Sequence, residues 1–458
     1  MDADKRKGKD MGFTEYKERI IQFGEGGFLR SFVDVFIHKM NEQGLYDGKV
    51  VVVQPIAKGL IPVINEQHGV YHQFLRGIDD GKVIDECIEV HSISRGVDPH
   101  TDYAGYLALA RNPDMHIIIS NTTEAGIEYL GTEAITDAPP KSFPAKLTAL
   151  LWERFQAGLP GFVILSCELI DNNGKELLAC VLKYAALWKL PEEFTAWVKT
   201  DNDFCNTLVD RICTGYPKDD AASFAERIGV EDKLMNTAEI FHLWVIEGHH
   251  EDIFPLQKAG INVIWTDDVK PYKKRKVRIL NGGHTSMVLG ARLYGLTTVK
   301  ECLDDPVVSR FLRKAMFEEI IPTLGHVEED TPFGNAVLER FANPFVKHQL
   351  LSIALNSVSK WRARVLPTIL EYCEQRGKLP QCLVWSLAAL IAFYRTDEAN
   401  DGKEIMAFMK NAPVHDILAK QEYWGQDLTF MAEEVERYYD IMENEGMAAA
   451  YEAVLGES

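Results

Sequence analysis

Residues 18–54 carry the pattern that most restricts the fold of this chain: an apolar strand, a glycine turn, a helical stretch and a second apolar strand. The strand at 18–23 runs into Gly24-Glu25-Gly26-Gly27, a helical pattern continues to about Met40, and four valines follow at 50–53. Parallel strands that are covered on both faces are continuous apolar runs of this kind. The segment therefore predicts a βαβ unit within a parallel sheet.

Further short apolar runs at 116–119 and 162–165, separated by helical stretches such as 143–156, continue this alternation. The two runs end in polar residues, Ser120-Asn121-Thr122-Thr123 and Ser166-Cys167-Glu168. Ligands of doubly wound sheets bind at the carboxyl ends of the strands, so these polar residues are candidate contacts.

After residue 268 the spacing of apolar residues changes from short continuous runs to positions three and four apart, which is typical of helices. These helical segments are 300–321, 346–358, 380–395 and 425–441. The predicted fold is α/β, with a Rossmann-type, doubly wound amino-terminal domain (1–268) and a mostly α-helical carboxy-terminal domain (269–458).

The negative overall charge argues against two classes of binding partner. With 68 acidic and 49 basic residues the formal net charge is −19, which argues against nucleic acid and anionic membrane surfaces as partners. The eight cysteines include no CxxC pair, no apolar run is long enough to span a membrane, and the first ten residues do not resemble a signal peptide. We expect a cytoplasmic enzyme for a small molecule, either a monomer or a small homo-oligomer.

The glycine turn is a candidate dinucleotide site. It lacks the third glycine of the G-x-G-x-x-G motif, since Leu29 stands there, but it follows a strand and opens a helix, where amides receive a pyrophosphate. An ordinary glycine-rich turn is the alternative. In NAD-binding proteins an acidic residue after the second strand holds the ribose, and here Gln54 stands at that position. Lys58 would favour the additional phosphate of NADP. The residues alone therefore do not decide between NAD and NADP as the cofactor. The predicted cofactor-binding residues are Gln22, Phe23, Gly24, Glu25, Gly26, Gly27, Phe28, Leu29, Arg30, Gln54 and Thr122.

Lys276, Asn281 and His284 form a candidate catalytic set. On an α-helix they span an arc of about 140°. Reduction of a ketone needs a proton donor and groups that polarise the carbonyl, and a lysine donates a proton when neighbouring cations lower its pKa. The cations that surround Lys276 are Lys273, Lys274, Arg275 and Arg278. The alternative is a basic helix start with a buried asparagine and a buried histidine.

Two other chemistries fit the residues less well. Tyr272-x-x-x-Lys276 matches the tyrosine-lysine pair of short-chain dehydrogenases, but Ala259 stands where their serine is needed. His249-His250-Glu251-Asp252 is a dense group of metal-binding side chains, but adjacent residues rarely chelate one ion. We therefore predict no metal.

Several longer stretches resemble one family as a set, in order along nearly the whole chain. They are IQFGEGGFLRSFVD (21–34), VVVVQPI (50–56), SNTTEAGI (120–127), SCELIDNNG (166–174), NTLVDRICTGYP (206–217), FHLWVIEG (241–248) and NVIWTDDVKPYKKRKVRILNGGHTSMV (262–288). With Lys276-x4-Asn281-x2-His284, the chain resembles the polyol-specific long-chain dehydrogenases, the mannitol dehydrogenase family.

The resemblance implies a metal-independent enzyme that uses NAD(H). It assigns Lys276 as the general acid/base, Asn281 as an oxyanion contact and His284 as a substrate-positioning group. The expected reaction is the reversible reduction of D-tagaturonate to D-altronate in hexuronate catabolism. The alternatives within the family are fructuronate reduction and dehydrogenation of mannitol or mannitol phosphate, and a nucleotide-binding protein without turnover is the alternative outside it.

The remaining predicted site residues follow from the same resemblance. Relatives that act on mannitol have an Asn-containing motif where this chain has Ser166-Cys167-Glu168-Leu169, so Asn173 becomes the candidate for a second oxyanion contact. A sugar acid also has a carboxylate that needs a cation, for which we expect Lys360 or Arg364. Asp210, in one of the matching stretches, is the third predicted substrate-binding residue.

Overall fold

The structure is a computed structural model that describes residues 16–123 and 125–456. Its strands are β1 (Lys17–Phe23), β2 (Gly48–Val53), β3 (Tyr71–Asp79), β4 (Lys82–Val90), β5 (Ile93–Val97), β6 (Ile117–Ser120), β7 (Val163–Ser166), β8 (Asp203–Cys205), β9 (Thr207–Asp210), β10 (Cys213–Gly215), β11 (Asn236–Glu239), β12 (Leu243–Glu247) and β13 (Val263–Thr266). Its α-helices are α1 (Gly27–Ser31), α2 (Val33–Glu42), α3 (Ile61–Glu66), α4 (Tyr103–Ala108), α5 (Phe143–Gln156), α6 (Asn173–Leu187), α7 (Glu192–Thr200), α8 (Ala221–Ile228), α9 (Lys270–Lys276), α10 (Gly282–Leu293), α11 (Val299–Asp304), α12 (Pro306–Lys314), α13 (Val327–Phe341), α14 (Leu350–Ile353), α15 (Ser357–Arg364), α16 (Leu366–Arg376), α17 (Gln381–Tyr394), α18 (Lys403–Asn411), α19 (Val414–Leu418), α20 (Gln421–Trp424), α21 (Ala432–Asn444) and α22 (Met447–Gly456). Two segments are π-helical, Val277–Asn281 and Ala315–Ile320.

The chain divides into two compact units. The first unit runs to Arg76 and resumes over Ile84–Val269, and the second comprises Gly77–Val83 and the chain from Lys270 onward. The division after Val269 lies one residue beyond the predicted boundary at 268. The separate piece Gly77–Val83 was not predicted from the sequence.

A six-stranded parallel sheet is the framework of the first unit. Its strand order is β5-β2-β1-β6-β7-β8, and every neighbouring pair is parallel. Counted along the chain within this sheet, the order is 3-2-1-4-5-6, which is the Rossmann order. The predicted Rossmann-type domain is therefore confirmed.

Alternate residues of the central strands face two separate apolar cores. Ile20 of β1 lies in the core that contains Leu29 and Phe36 of the first two helices. Its neighbour Ile21 lies in the opposite core, with Leu147 of α5. Because both faces of the sheet are covered, the central strands are mostly apolar, as the sequence pattern indicates, with a few buried polar residues such as Gln22.

The first unit also has two smaller sheets that were not predicted. One has the order β10-β11-β3-β4 and the other the order β13-β12-β9. The prediction of one helix from the glycine turn to Met40 is wrong in one respect, because the helix is interrupted at Phe32, between α1 and α2.

The second unit is mostly helical, as predicted, and α17 lies in its interior with every residue from Cys382 to Tyr394 buried. Helix α10 packs against it where Gly290 faces Trp385, and a Cβ atom at Gly290 would lie 2.4 Å from the Trp385 ring. The predicted continuous helix over 346–358 is wrong, because Asn356 has a φ of +53° and separates α14 from α15. None of the helices in the described ranges has the length and apolarity needed to cross a bilayer.

Candidate active site

The glycine turn after β1 combines one tightly packed glycine with one open glycine. Gly24 has a φ of +118°, and a Cβ atom there would lie 2.7 Å from the carbonyl oxygen of Asn121. A Cβ atom at Gly26, by contrast, would have no neighbour within 4 Å. Gly24 is thus required by the fold, whereas Gly26 leaves a space beside the turn that a ligand can approach.

Gln54 follows β2 at the same edge of the sheet and carries an unsatisfied acceptor. Its Nε2 donates to the carbonyl oxygen of Ile56 at 2.9 Å. Its Oε1 is buried and has no hydrogen-bond partner among the described residues. Buried acceptors without a partner are uncommon in proteins, and a ribose hydroxyl is a donor that would satisfy this one. This observation, with the space at Gly26, fits a dinucleotide.

Several predicted cofactor residues have their side chains inside the first unit. The side chains of Gln22, Phe23 and Leu29 are buried. The Arg30 guanidinium donates to the carbonyl oxygen of Glu25 at 3.1 Å and lies over the Tyr71 ring. These residues offer a cofactor only backbone atoms.

The other residues of the turn are also held locally. Burial raises the pKa of the Glu25 carboxyl. A Cβ atom at Gly27 would lie 3.0 Å from Asn236 Oδ1, and the Phe28 ring stacks on Phe32 at a centroid distance of 5.1 Å. Glu25, Gly27 and Phe28 are therefore packed against other residues of the first unit, whereas a Cβ atom at Gly26 would have no neighbour within 4 Å.

Thr122 is hydrogen-bonded to the buried carboxyl group of Glu168, one of the polar residues that follow the strands of the main sheet. Its Oγ1 and its backbone NH each donate to Glu168 Oε1 at 3.0 Å, and Ser120 donates to the other oxygen at 3.0 Å. Burial raises the pKa of Glu168. This carboxyl group joins the ends of β6 and β7, so the Thr122 hydroxyl serves first to hold the sheet edge together.

Asn173 is fully engaged with the backbone of the first unit. Its Nδ2 donates to the carbonyl oxygens of Ser166, Glu168 and Thr207, and its Oδ1 accepts from the NH groups of Thr207 and Gly174. The side chain is 1% exposed. With both amide hydrogens used, Asn173 has no donor left for a substrate oxyanion, and we do not include it in the proposed catalytic set.

Asp210, the third predicted substrate residue, belongs to the first unit. It is the last residue of β9, is buried, and pairs with Leu243 of β12.

Lys276 and Asn281 lie in the second unit on one continuous helical rod. Lys276 ends α9, the π-helical turn Val277–Asn281 follows, and α10 begins at Gly282. In a π-turn the hydrogen bonds join residues five apart, so a residue lies above the one five positions before it. Asn281 is thereby brought toward the face of Lys276, whereas an α-helix would place it about 140° around the axis.

The cations next to Lys276 are largely paired with carboxylates. Lys274 Nζ and Arg278 Nη2 each lie 3.1 Å from Glu371 Oε1. Arg275 Nη1 lies 4.0 Å from Asp330. Two carboxylates thus lie beside three of these four cations, so the predicted excess of positive charge around Lys276 is offset only in part.

His284 is buried and presents one unsatisfied ring nitrogen. The residue is 8% exposed, and its Nε2 has no hydrogen-bond partner in the described part of the chain. Its ring stacks on Phe341 and meets the ring of His348 edge-on. Burial lowers the pKa of His284 well below its usual value, and the charges of His348, Arg340 and Arg364 lower it further. The ring is therefore neutral near pH 7 and has one nitrogen for a ligand hydroxyl.

Of the two predicted carboxylate partners, only Arg364 contacts the helix of His284. Its Nη1 lies 3.4 Å from Thr285 Oγ1, and burial lowers its pKa. Lys360 Nζ donates instead to the carbonyl oxygen of Ile353 at 2.8 Å. Arg340, which also acts on His284, was not predicted, because nothing in its local sequence separates it from a surface arginine.

Two family models match the chain in succession. The mannitol dehydrogenase Rossmann domain matches residues 18–255, and the mannitol dehydrogenase C-terminal domain matches residues 268–455.

Curated relatives match over nearly their full length. The altronate oxidoreductase of Yersinia enterocolitica is 43% identical and the match covers 97% of this chain and 98% of the relative. The altronate oxidoreductase of Bacillus subtilis is 42% identical, with 96% of each chain covered.

Two solved structures have a similar fold. Mannitol 2-dehydrogenase of Pseudomonas fluorescens, in a ternary complex with NAD and D-mannitol, matches with a TM-score of 0.68 and 22% identity over 97% of this chain and 96% of that one. A D-sorbitol dehydrogenase in substrate-free form matches with a TM-score of 0.81 and 21% identity over 96% of each chain.

Proposed function

This chain belongs to the mannitol dehydrogenase family, and we propose that within this family it catalyses the reversible, NAD-dependent reduction of D-tagaturonate to D-altronate in hexuronate catabolism. Family membership makes it an oxidoreductase that acts on CH–OH groups, of the NAD-linked polyol or sugar-acid type. Two proteins named altronate oxidoreductase are 43% and 42% identical to this chain over nearly its full length, which supports the sugar acid as substrate.

Residues of the first unit would hold the dinucleotide. The turn from Gly24 to Gly27 offers backbone amides and the open space at Gly26, and Gln54 offers Oε1 to a ribose hydroxyl. The amide oxygen of Gln54 accepts a hydrogen bond from a ribose hydroxyl, and the similar mannitol 2-dehydrogenase was solved with NAD, which supports NAD although Lys58 would favour a phosphate. NAD(H) supplies or accepts the hydride in this reaction class.

Lys276 would move the proton. During reduction, its ammonium group gives a proton to the carbonyl oxygen of the sugar acid, and during oxidation its amine removes the proton from the hydroxyl. Asn281 donates a hydrogen bond to the same oxygen as negative charge develops there. The π-turn supports these two roles, because it turns the amide of Asn281 toward the helix face that carries the amine of Lys276.

His284 would orient the substrate rather than exchange protons with it. Its lowered pKa keeps the ring neutral, so Nε2 forms a hydrogen bond to a substrate hydroxyl without carrying charge. The unsatisfied Nε2 is the observation that carries the proposed site, because a buried nitrogen without a partner is stabilised once a polyol fills the space beside it.

Arg364 is the proposed partner of the substrate carboxylate. Its contact with Thr285 places the guanidinium beside the residue that follows His284. Guanidinium groups bind carboxylates with two parallel hydrogen bonds, whereas Lys360 already donates to a backbone carbonyl.

A substrate panel at fixed NADH tests the proposal. We expect the highest kcat/KM with tagaturonate, lower values with fructuronate, and little turnover of fructose or fructose 6-phosphate, which lack the carboxylate. Preference for fructuronate would identify a fructuronate reductase, and preference for fructose or its phosphate would identify a mannitol or mannitol-phosphate dehydrogenase. Either preference would overturn the proposed substrate, and repeating the panel with NADPH tests the cofactor.

A further inference from the structure

Three side chains with metal-binding atoms meet at one edge of the first unit. Asp203 and Cys205 lie on β8, the edge strand of the six-stranded sheet, and His250 lies in the segment that follows β12. A carboxylate oxygen, the thiol sulfur and a ring nitrogen all lie within 4.8 Å of one another. We propose that these three residues bind a zinc ion, contrary to the expectation from the sequence that no metal is bound.

The residues are already arranged around a common space. His250 Nε2 lies 2.7 Å from Asp203 Oδ2. The backbone NH groups of Ile253 and Phe254 donate to the carbonyl oxygen of His250, which holds the backbone of the histidine in a turn. The three ligands therefore come from two segments whose positions are fixed by backbone hydrogen bonds.

A glycine keeps that space open. Gly248 has a φ of +145°, and a Cβ atom there would lie 3.3 Å from Cys205 Sγ, 3.5 Å from the His250 ring and 3.6 Å from Asp203 Oδ2. A side chain at Gly248 would thus point into the volume that all three ligands border. Glycine is the residue that both permits this backbone conformation and leaves that volume vacant.

The donor set selects the ion. One thiolate, one imidazole and one carboxylate are a combination that zinc accepts, whereas magnesium and calcium prefer oxygen ligands alone. The Asp203 side chain is half exposed, so water can reach the site and complete four-coordination. Binding of zinc would release the proton of the Cys205 thiol to solvent.

The ion would be structural and separate from the proposed reduction. β8 is three strands away from β1 in the sheet, or about 14 Å from the strand that leads into the glycine turn. By joining β8 to the segment after β12, zinc would link the edge of the six-stranded sheet to the three-stranded sheet. We expect the ion to raise the stability of the first unit.

Titration of the full-length protein with metal tests this proposal. After treatment with a chelator and its removal, the wild-type protein should bind one Zn²⁺ per chain and unfold at a higher temperature with Zn²⁺ than without it. Co²⁺ should produce a thiolate-to-metal charge-transfer band, which reports directly on a cysteine ligand.

Matched variants locate the ion. Cys205→Ser should abolish the Co²⁺ band, and His250→Gln, at a more accessible position, should abolish stoichiometric Zn²⁺ binding. His249→Gln is the control, because the adjacent histidine pairs with Asp267 at 2.9 Å and should be dispensable.

Absence of Zn²⁺ binding by the wild-type protein would overturn the proposal. Equal binding by wild type, Cys205→Ser and His250→Gln would overturn it as well, since the ion would then lie elsewhere. Retention of reductase activity by the metal-free protein is expected, so the outcome is independent of the proposed substrate.

Discussion

The rings of His284 and Phe341 lie nearly parallel, with their centroids 3.8 Å apart and their planes inclined by 10°. Stacking of this kind fixes the ring plane of the histidine and therefore the direction in which Nε2 points. Phe341→Leu retains an apolar wall but removes the flat surface. We expect kcat/KM for the sugar acid to fall by up to roughly 10-fold, in line with the energy of an aromatic pair. NADH affinity should not change, and Phe430→Leu, at an exposed phenylalanine of the second unit, is the control.

Removal of the amine at Lys276 tests the proton-transfer step. Lys276→Ala should lower kcat by roughly 100-fold or more, because general acid catalysis contributes at least that factor. Lys274→Ala is the matched control, since Lys274 pairs with Glu371 and is not assigned a role in the reaction. Steady-state kinetics in both directions provide the measurement, and a loss of only a few-fold in Lys276→Ala would contradict the assignment.

Lys360 and Arg364, two of the three cations of α15, should differ in their effect on substrate binding. Arg364→Met should raise KM for altronate by roughly 10-fold or more, because it removes a charge-assisted hydrogen bond. KM for mannitol, which has no carboxylate, should change far less. Lys360→Met should alter neither value much, since Lys360 donates to a backbone carbonyl. Equal changes for both substrates in Arg364→Met would exclude recognition of the carboxylate.

Replacement of Gly24 and of Gly26 by alanine should have different effects on the protein. Gly24→Ala should reduce the free energy of unfolding by at least roughly 1–2 kcal/mol, because the residue has a positive φ and its Cβ would meet Asn121. Gly26→Ala should fold normally and weaken NADH binding, since its methyl group enters only the open space. Urea denaturation and NADH fluorescence titration separate the two effects, and a stable Gly24→Ala protein would argue against the packed turn.

The free energy of unfolding should decrease at acidic pH, partly because of His38. Burial lowers its pKa to about 4, helped by the charges of His91 and Lys39. The unfolded chain takes up a proton below pH 6.5 while the folded protein does not, so this group costs up to roughly 3 kcal/mol of stability as the pH falls from 6.5 to 4. The stability of His38→Gln should fall less over this range.

Denaturant unfolding across the same pH range measures the His38 effect. His415→Gln, at an exposed histidine, should retain the wild-type pH dependence. Identical slopes for wild type and His38→Gln would rule out this origin of acid sensitivity.

The main sheet could be predicted because its central strands are buried on both faces and are therefore apolar over most of their length. The small sheets were missed because they contain ordinary mixed sequences such as β4. One signal was available, since Asp80-Gly81 joins β3 to β4 with φ of +49° and +71°, the conformation of a two-residue hairpin turn. The break at Phe32 has no comparable signal in the sequence.

The candidate site was predicted in part. Lys276, Asn281 and His284 were proposed from their spacing, but the π-turn between them was not expected, because the residues there are equally compatible with an α-helix. Asn173 was proposed from the resemblance to relatives that act on mannitol. Only the structure shows that five backbone hydrogen bonds occupy its side chain fully.

The π-turn at Val277–Asn281 makes the spacing of the reactive groups sensitive to chain length. It accommodates one more residue per turn than the helices on either side. A single deletion within it would yield a longer and more regular α-helix, with the hydrophobic faces before and after it rotated relative to each other. Such a variant would gain regular hydrogen bonding and lose the common orientation of the amine of Lys276 and the amide of Asn281, so local helical order and catalytic alignment are opposed at this point in the chain.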